Sequence, residues 1–302
     1  MPALTRYRRP ESLPLELHRR RIYLVPSGFG LAFAMLLMVM LIGALNYANN
    51  GALLLTCLLG SASATSMLVA FRALDGLRLV AIRAGHVIAG EVAQVDFEFE
   101  TRRARQALRL DLGQASEAFG LAAGGHTIVK MPLPTTSRGW QPLPRMRVWS
   151  TWPLGMFRAW SWLHPQQKVL VWPQAEATGP APQLPAVDRR RQRLHQGDDL
   201  AALRDYRLGD PPRHIAWKAS ARHEQLLVKD FEQPLSRHEW HLDWDRLTGL
   251  DHEARIARLA RWLGEASTQG HACSLRLPLQ QVAMGSGPWH YEQCMNLLAE
   301  LP

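Results

Sequence analysis

The sequence predicts an α+β multi-domain protein with an N-terminal transmembrane helical hairpin, an antiparallel β-sandwich and a small C-terminal α/β part. Three observations predict it. Two long runs without a charge, residues 28–45 and 52–71, lie near the N-terminus. From residue 77 to about 173 the apolar period falls to two, and after residue 237 strand-like and helix-like stretches alternate.

At 1.5 Å per residue the two uncharged runs reach roughly 27 and 30 Å as helices, against a bilayer core of about 30 Å. Between them Asn46, Tyr47, Ala48, Asn49, Asn50 and Gly51 supply turn residues and no charge, so a tight hairpin is expected. Arg6, Arg8, Arg9, Arg19, Arg20 and Arg21 precede the first run, and Arg72, Arg78 and Arg83 follow the second. The positive-inside rule then places both flanks in the cytoplasm and the hairpin tip outside. A secretory signal peptide does not fit, because two long runs would precede the Ala62-Ser63-Ala64 cleavage-like triplet where a signal has one short one. Small residues of the second run (Gly60, Ser61, Ala62, Ser63, Ala64, Ser66) permit close helix approach.

The expected divisions are a basic cytoplasmic N-terminus (1–27), the hairpin (28–71), the sandwich (72–173), a linker (174–194) and a last part (195–302). In the sandwich, alternation predicts strands at 77–82, 92–101, 107–112, 126–132, 145–150, 155–162 and 167–171. Six of the eleven tryptophans fall within it: Trp140, Trp149, Trp152, Trp160, Trp162 and Trp172. Core packing and packing near the membrane are expected for these rings rather than stacking on bases or sugars. Residues 174–188 are rich in Pro and Ala and read as a semi-rigid linker ending in the basic run 189–193. Further on, strands are expected at 237–243 and 273–277. Helices are expected at 252–267, with Ile256, Leu259, Ala260 and Leu263 on one side, and at 290–301.

The stretch 197–232, GDDLAALRDYRLGDPPRHIAWKASARHEQLLVKDFE, is the densest in chemistry. Asp210 before Pro211 and Pro212 is a helix-start signal, since a carboxylate accepts first-turn amides and proline loses nothing there. A helix at about 211–222 would place Ile215, Lys218 and Arg222 on one face and Trp217 on another, and a strand should follow at 225–232. The candidate contact surface is Asp199, Arg204, Tyr206, Asp210, Arg213, Trp217, Lys218 and Arg222; an internal salt-bridge network is the plainer use of the same charges.

This block, together with the run 137–160 around its Pro-Leu-Gly-Met-Phe turn and the following stretch 169–173, resembles the signature of the bacterial domain-of-unknown-function 58 family. The resemblance implies a protein of the bacterial inner membrane. Its expected partners are a MoxR-type AAA+ ATPase and a transglutaminase-like membrane protein. It also implies a von Willebrand factor A-like C-terminal part, whose intact version binds a divalent ion through an Asp-x-Ser-x-Ser loop. Here that point reads Asp243-Trp244-Asp245-Arg246-Leu247, so both hydroxyls are gone and only Asp243 and Asp245 remain as candidate ligands. The C-terminal part is also short for the complete fold, so no metal or other cofactor is expected.

The 302 residues carry a formal charge of +9, but the basic residues are dispersed without a nucleic-acid signature, and no such partner is expected. The three cysteines, Cys57, Cys273 and Cys294, have no metal or disulfide spacing. Gly-rich phosphate loops, His-Glu-x-x-His and Gly-x-Ser-x-Gly do not occur, so a non-enzymatic membrane-anchored interaction module is expected. Two alternatives stay open. One is an enzyme with His195, Asp199 and Asp210 in a cleft; the other is an anionic-lipid or nucleic-acid binder using 189–193.

Overall fold

The computed structural model describes residues 10–182, 200–205, 216–220, 227–231 and 239–302. It is a mixed α+β chain with two apolar N-terminal helices and several antiparallel sheets. The chain divides into two compact units, Met1–Trp172 with Ala299–Pro302, and Pro173–Leu298.

The first unit opens with β1 (Leu15–Glu16) and β2 (Tyr23–Pro26), then the helices α1 (Gly28–Asn46) and α2 (Asn50–Leu74). Ten strands follow: β3 (Arg78–Ala84), β4 (Val87–Ile88), β5 (Val92–Glu100), β6 (Arg105–Leu112), β7 (Ala115–Leu121), β8 (His126–Pro134), β9 (Gly139–Pro142), β10 (Met146–Ser150), β11 (Phe157–Leu163) and β12 (Lys168–Trp172). They form sheets ordered β1-β3-β5-β8, β2-β11-β10-β6-β7 and β4-β12-β9. Every pairing in them is antiparallel except β4 with β12. The segment that sequence set apart as a basic N-terminus thus contributes edge strands to two of these sheets. Its Arg21 is buried and bound bidentately by Glu11, at 2.8 and 2.5 Å.

Strand alternation decides which side chains meet. Val95, Phe97 and Phe99 of β5 and Val129, Met131 and Leu133 of β8 point one way, and Leu108, Leu110, Met146, Val148, Ala159 and Leu163 come from the second sheet. All belong to one buried cluster. Helix α2 runs on past Phe71, and its end joins the same cluster through Ala70, Ala73 and Leu74. Leu74 is fully buried, which contributes about 1.5–3 kcal/mol toward holding the helix end in the sheets.

Among the described residues, α1 and α2 are the two helices long and apolar enough to cross a membrane, and each has only 11% of its most apolar stretch buried. Leu31, Met35, Met38, Leu54 and Leu58 are each more than half exposed. A helical hairpin serving as the core of a water-soluble fold would bury these side chains.

The second unit contains the antiparallel pair β13 (Leu200–Asp205) and β14 (Leu227–Phe231), and the short α3 (Trp217–Ser220). After these come β15 (Glu239–Asp243), α4 (His252–Gln269), β16 (Ala272–Arg276), β17 (Gln281–Gly285) and α5 (Pro288–Glu300). Strands β15 and β16 are parallel and joined through α4, while β16 and β17 form a hairpin. Helix α4 is capped by Asp251, whose side chain accepts from Ala254 N, and ends at Gly270 with φ of 70°. Its apolar stripe, Ile256, Leu259, Ala260 and Leu263, is buried as its spacing predicts, with Trp262 and Ala266 added. The first residues of the expected linker are fastened to this helix. Glu176 takes two hydrogen bonds of 2.8 Å from Arg258, and Pro180 O accepts from Trp262 Nε1 at 2.9 Å.

Candidate functional site

The junction between the hairpin and the sheets is built from both ends. Strand β2 pairs with β11, Pro26 opposite Phe157, and runs directly into α1. Ser27 is the turning point. Its Oγ accepts from Gly30 N at 3.0 Å and donates to Gly155 O at 2.6 Å, while its own N–H donates to Met156 O at 2.8 Å. One hydroxyl thus caps the helix and ties it to the β10–β11 turn. Gly30 is buried against that turn, where a Cβ would collide with the Met156 carbonyl.

The other end is closed by Arg105. Its Nη1 donates to Arg72 O, its Nη2 to Asp75 O, and its Nε to Thr101 Oγ1 at 3.4 Å. The last carbonyls of a helix have no partner inside it, and a guanidinium fork supplies several donors at once. Arg105 is 8% exposed. Burial pulls its pKa down, the Arg103 charge adds to this, and Asp75 opposes it.

On the second sheet the rings lie outside. Strand β11 alternates buried Ala159, Ser161 and Leu163 with half-buried Trp160 and Trp162; β10 does the same with Met146, Val148 and Ser150 against Arg147 and Trp149. Tyr23, Trp160, Trp149 and Arg109 stand in one cross-strand row. Tyr23 stacks on Trp160 at 4.7 Å, and Arg158 and Arg109 lie 4.9 and 5.5 Å from the Trp149 ring centre. The core role expected of the six tryptophans is therefore filled by Trp172 alone; Trp140 and Trp152 are exposed. On this same face, Asp111 accepts from Ser116 Oγ at 2.6 Å, Trp149 Nε1 at 2.8 Å and Arg147 Nη2 at 2.5 Å. Burial pushes its pKa up, but these three donors and the Arg147 charge outweigh that and hold it below the usual range.

Of the eight candidate contact residues, Asp199, Tyr206, Asp210, Arg213 and Arg222 lie outside the described residues, as do His195 and the basic run 189–193. Arg204 stands on β13 opposite Val228 of β14. Trp217 begins α3 with 64% of its surface exposed, and Lys218 follows it on the same helix.

Asp243 and Asp245 end β15 in a 3-10 turn. Asp243 Oδ1 accepts from Asp245 N at 3.0 Å, and its Oδ2 lies 3.8 Å from both Arg246 and Arg276. Its oxygens therefore face an amide and two cations. Among the described residues no three His, Cys, Asp or Glu side chains come together as a metal would need.

Among the described residues, one cysteine–histidine cluster occurs, in the second unit. His290 Nε2 is 2.8 Å from Cys273 O and 3.7 Å from Cys294 Sγ, all buried. A carbonyl only accepts, so Nε2 carries the proton and cannot take one from the thiol. Burial, with Cys273 beside it, pushes the Cys294 thiol up to about 12, so neither group is poised for nucleophilic chemistry.

No family model, curated protein or solved structure matches this chain. The residues that sequence reasoning missed are Ser27, Gly30 and Arg105. A serine just before an apolar helical run is a visible cap signal; nothing in the sequence pairs Arg105 with a helix end 30 residues earlier.

Proposed function

We propose that this chain is a membrane-anchored, cytoplasm-facing interaction and assembly module that works with a MoxR-type AAA+ ATPase. In this reading it belongs with the domain-of-unknown-function 58 proteins of the bacterial inner membrane. The sheets of the first unit form a β-sandwich, and the second unit is a reduced von Willebrand factor A-like part. Both termini are cytoplasmic and the tip at 47–49 faces outward.

The observation that carries the anchoring is the two-ended junction, with β2 and Ser27 at the start of α1 and Arg105 at the end of α2. Two apolar helices fixed into folded sheets form a stiff mount rather than a loose tether. Arg19, Arg20 and Arg78 stand on the sheet side of that mount, as the positive-inside rule requires of a cytoplasmic face. The partner assignment rests on the residues of 197–232, of which exposed Trp217 has the character of an interface anchor.

Topology reporters fused at Gly51 and at the C-terminus test the anchoring; the tip should report outside and the C-terminus inside. Capture of a purified MoxR-type ATPase by the full chain in detergent, with and without nucleotide, tests the partner. The partner reading fails if wild-type chain and a Trp217→Ala, Lys218→Ala variant show the same absence of binding under both conditions.

A further inference from the structure

We propose that the β10–β11 turn, residues 151–156, is a third membrane contact of this chain, seated at the boundary of headgroups and acyl chains in the leaflet nearest the sheets. The inference rests on the reading of α1 and α2 as membrane-spanning, and extends it to a part of the β unit.

The depth of the turn follows from its neighbours. Pro153 and Leu154 line an open groove with Leu58, Ala62, Thr65 and Val69 of α2. Ala70, Ala73 and Leu74 belong to the protein core, which leaves residues 50–69 for the bilayer. Those residues span about 30 Å, the thickness of the hydrocarbon. The stretch from Leu58 to Val69 is the half nearer the sheets, so the turn lies beside the inner half of the crossing helix. The start of α1 agrees, since Gly30, in its first turn, abuts Met156.

The chemistry of the turn suits that depth. Trp152 is 38% and Leu154 51% exposed, and nothing charged stands between Ser150 and Arg158. Val25 and Phe29, on β2 and the first turn of α1, are 49% and 62% exposed and continue the apolar surface. Irregular backbone is tolerated near hydrocarbon only when its polar groups are satisfied. Here Gly155 N donates to Thr151 O at 2.8 Å, and Trp152 N donates to Ser150 Oγ at 3.2 Å. The Gly155 and Met156 carbonyls are taken by Ser27, and Pro153 has no N–H. Arg158, exposed on β11 just beyond the turn, then falls at headgroup level, with the Tyr23, Trp160 and Trp149 row behind it. A turn with a tryptophan at its rim and a leucine at its tip is the short equivalent of an interfacial helix.

The test uses the full chain with Cys57→Ser, reconstituted into phosphatidylethanolamine–phosphatidylglycerol vesicles. An environment-sensitive fluorophore is placed at Leu154→Cys and, in a second variant, at Trp152→Cys. Leu36→Cys on α1 is the deep control and Glu117→Cys on β7 the aqueous one. Nitroxide lipids carrying the spin label near the headgroup should quench the label at 154 about threefold or more beyond that at 117. A label at the chain end should quench 36 more than 154. If 36 is quenched while 154 and 152 match 117, the turn stands in water and this inference is overturned while the spanning hairpin survives. If 36 also matches 117, the hairpin reading falls and this inference with it.

Discussion

Arg105 donates to the main-chain carbonyl of Arg72 from 33 residues further along the chain, and with Asp75 O as its second acceptor it closes the end of α2. Arg105→Met keeps much of the side-chain volume and leaves both carbonyls facing a buried space without a donor. The expected loss is about 2–4 kcal/mol, since orphaned buried acceptors cost more than a hydrogen bond contributes. Arg105→Lys should recover only part, because an ammonium lacks the fork that reaches two carbonyls. Thermal unfolding of the detergent-purified chain, followed by near-UV circular dichroism, reads the order wild type, Lys, Met. A Met variant as stable as wild type would remove Arg105 from the junction.

Gly30 and Gly28 sit two residues apart at the start of α1, yet only Gly30 faces the Met156 carbonyl; a Cβ at Gly28 meets nothing within 4 Å. Gly30→Val should therefore push the helix off the β10–β11 turn at about 1–3 kcal/mol, the range for overpacking. Gly28→Ala should be neutral or stabilise by up to about 1 kcal/mol through helix propensity. Proteolysis between residues 151 and 156 in detergent reads the difference: faster cleavage in Gly30→Val, unchanged in Gly28→Ala.

Long periodic elements were legible because they repeat one signal many times. The hairpin, the strands at 92–101, 126–132 and 167–171, and α4 follow from pattern alone. Strands β1, β2, β4, β7, β9 and β17 were missed; four of these six have four residues or fewer, too short for alternation to register, and β7, exposed along most of its length, shows no buried alternate face. The facing of the tryptophans was readable in principle. Arg147 is in phase with Trp149, and Arg158 with Trp160 and Trp162, so a charge marks the outer face of both strands while Ser150 and Ser161 turn inward. Ring hydrophobicity argued the other way, and stacking with Arg109, Arg158 and Tyr23 is what lets the rings stay outside. In the candidate contact block, the 200–205 strand was masked by a motif reading that weighed charges over the pairing of Leu203 with Lys229.

Asp111 gives the outer face a pH dependence. Its folded pKa lies below the ordinary carboxylate value because Ser116, Trp149 and Arg147 together outweigh burial. A depressed acid stabilises the fold above its unfolded pKa, near 4, and that contribution is lost as pH falls through the folded value. Glu176, held down chiefly by hydrogen bonds from Arg258, acts with the same sign. Acid titration should thus destabilise the chain below about pH 4, with Trp149 fluorescence changing as its Asp111 acceptor protonates. Asp111→Asn should flatten the part of the stability curve below pH 4 while costing about 1 kcal/mol or more at pH 7. An unchanged acid limb in Asp111→Asn would show that the carboxylate is not coupled to folding.

Cys294 titrates in the opposite sense. An acid whose folded pKa is raised, here to about 12, keeps its proton in the native state while the unfolded thiol ionises near 8.5. The unfolded chain then binds fewer protons above pH 8.5, so stability falls as pH rises from there toward the folded value. Reactivity follows from the same protonation, because the thiolate is the attacking species and His290 Nε2 is committed to the Cys273 carbonyl. In a Cys57→Ser background, a maleimide at pH 7.5 should leave the native chain unlabelled over an hour and modify Cys273 and Cys294 after denaturation. His290→Ala should speed native labelling by opening space around both thiols, not by changing their acidity, so the rate should rise equally at pH 7 and pH 9 after correction for thiolate fraction. Rapid labelling of Cys294 in the native Cys57→Ser chain, growing with pH around 7, would instead mark an ionised thiol and return this cluster to consideration as chemistry.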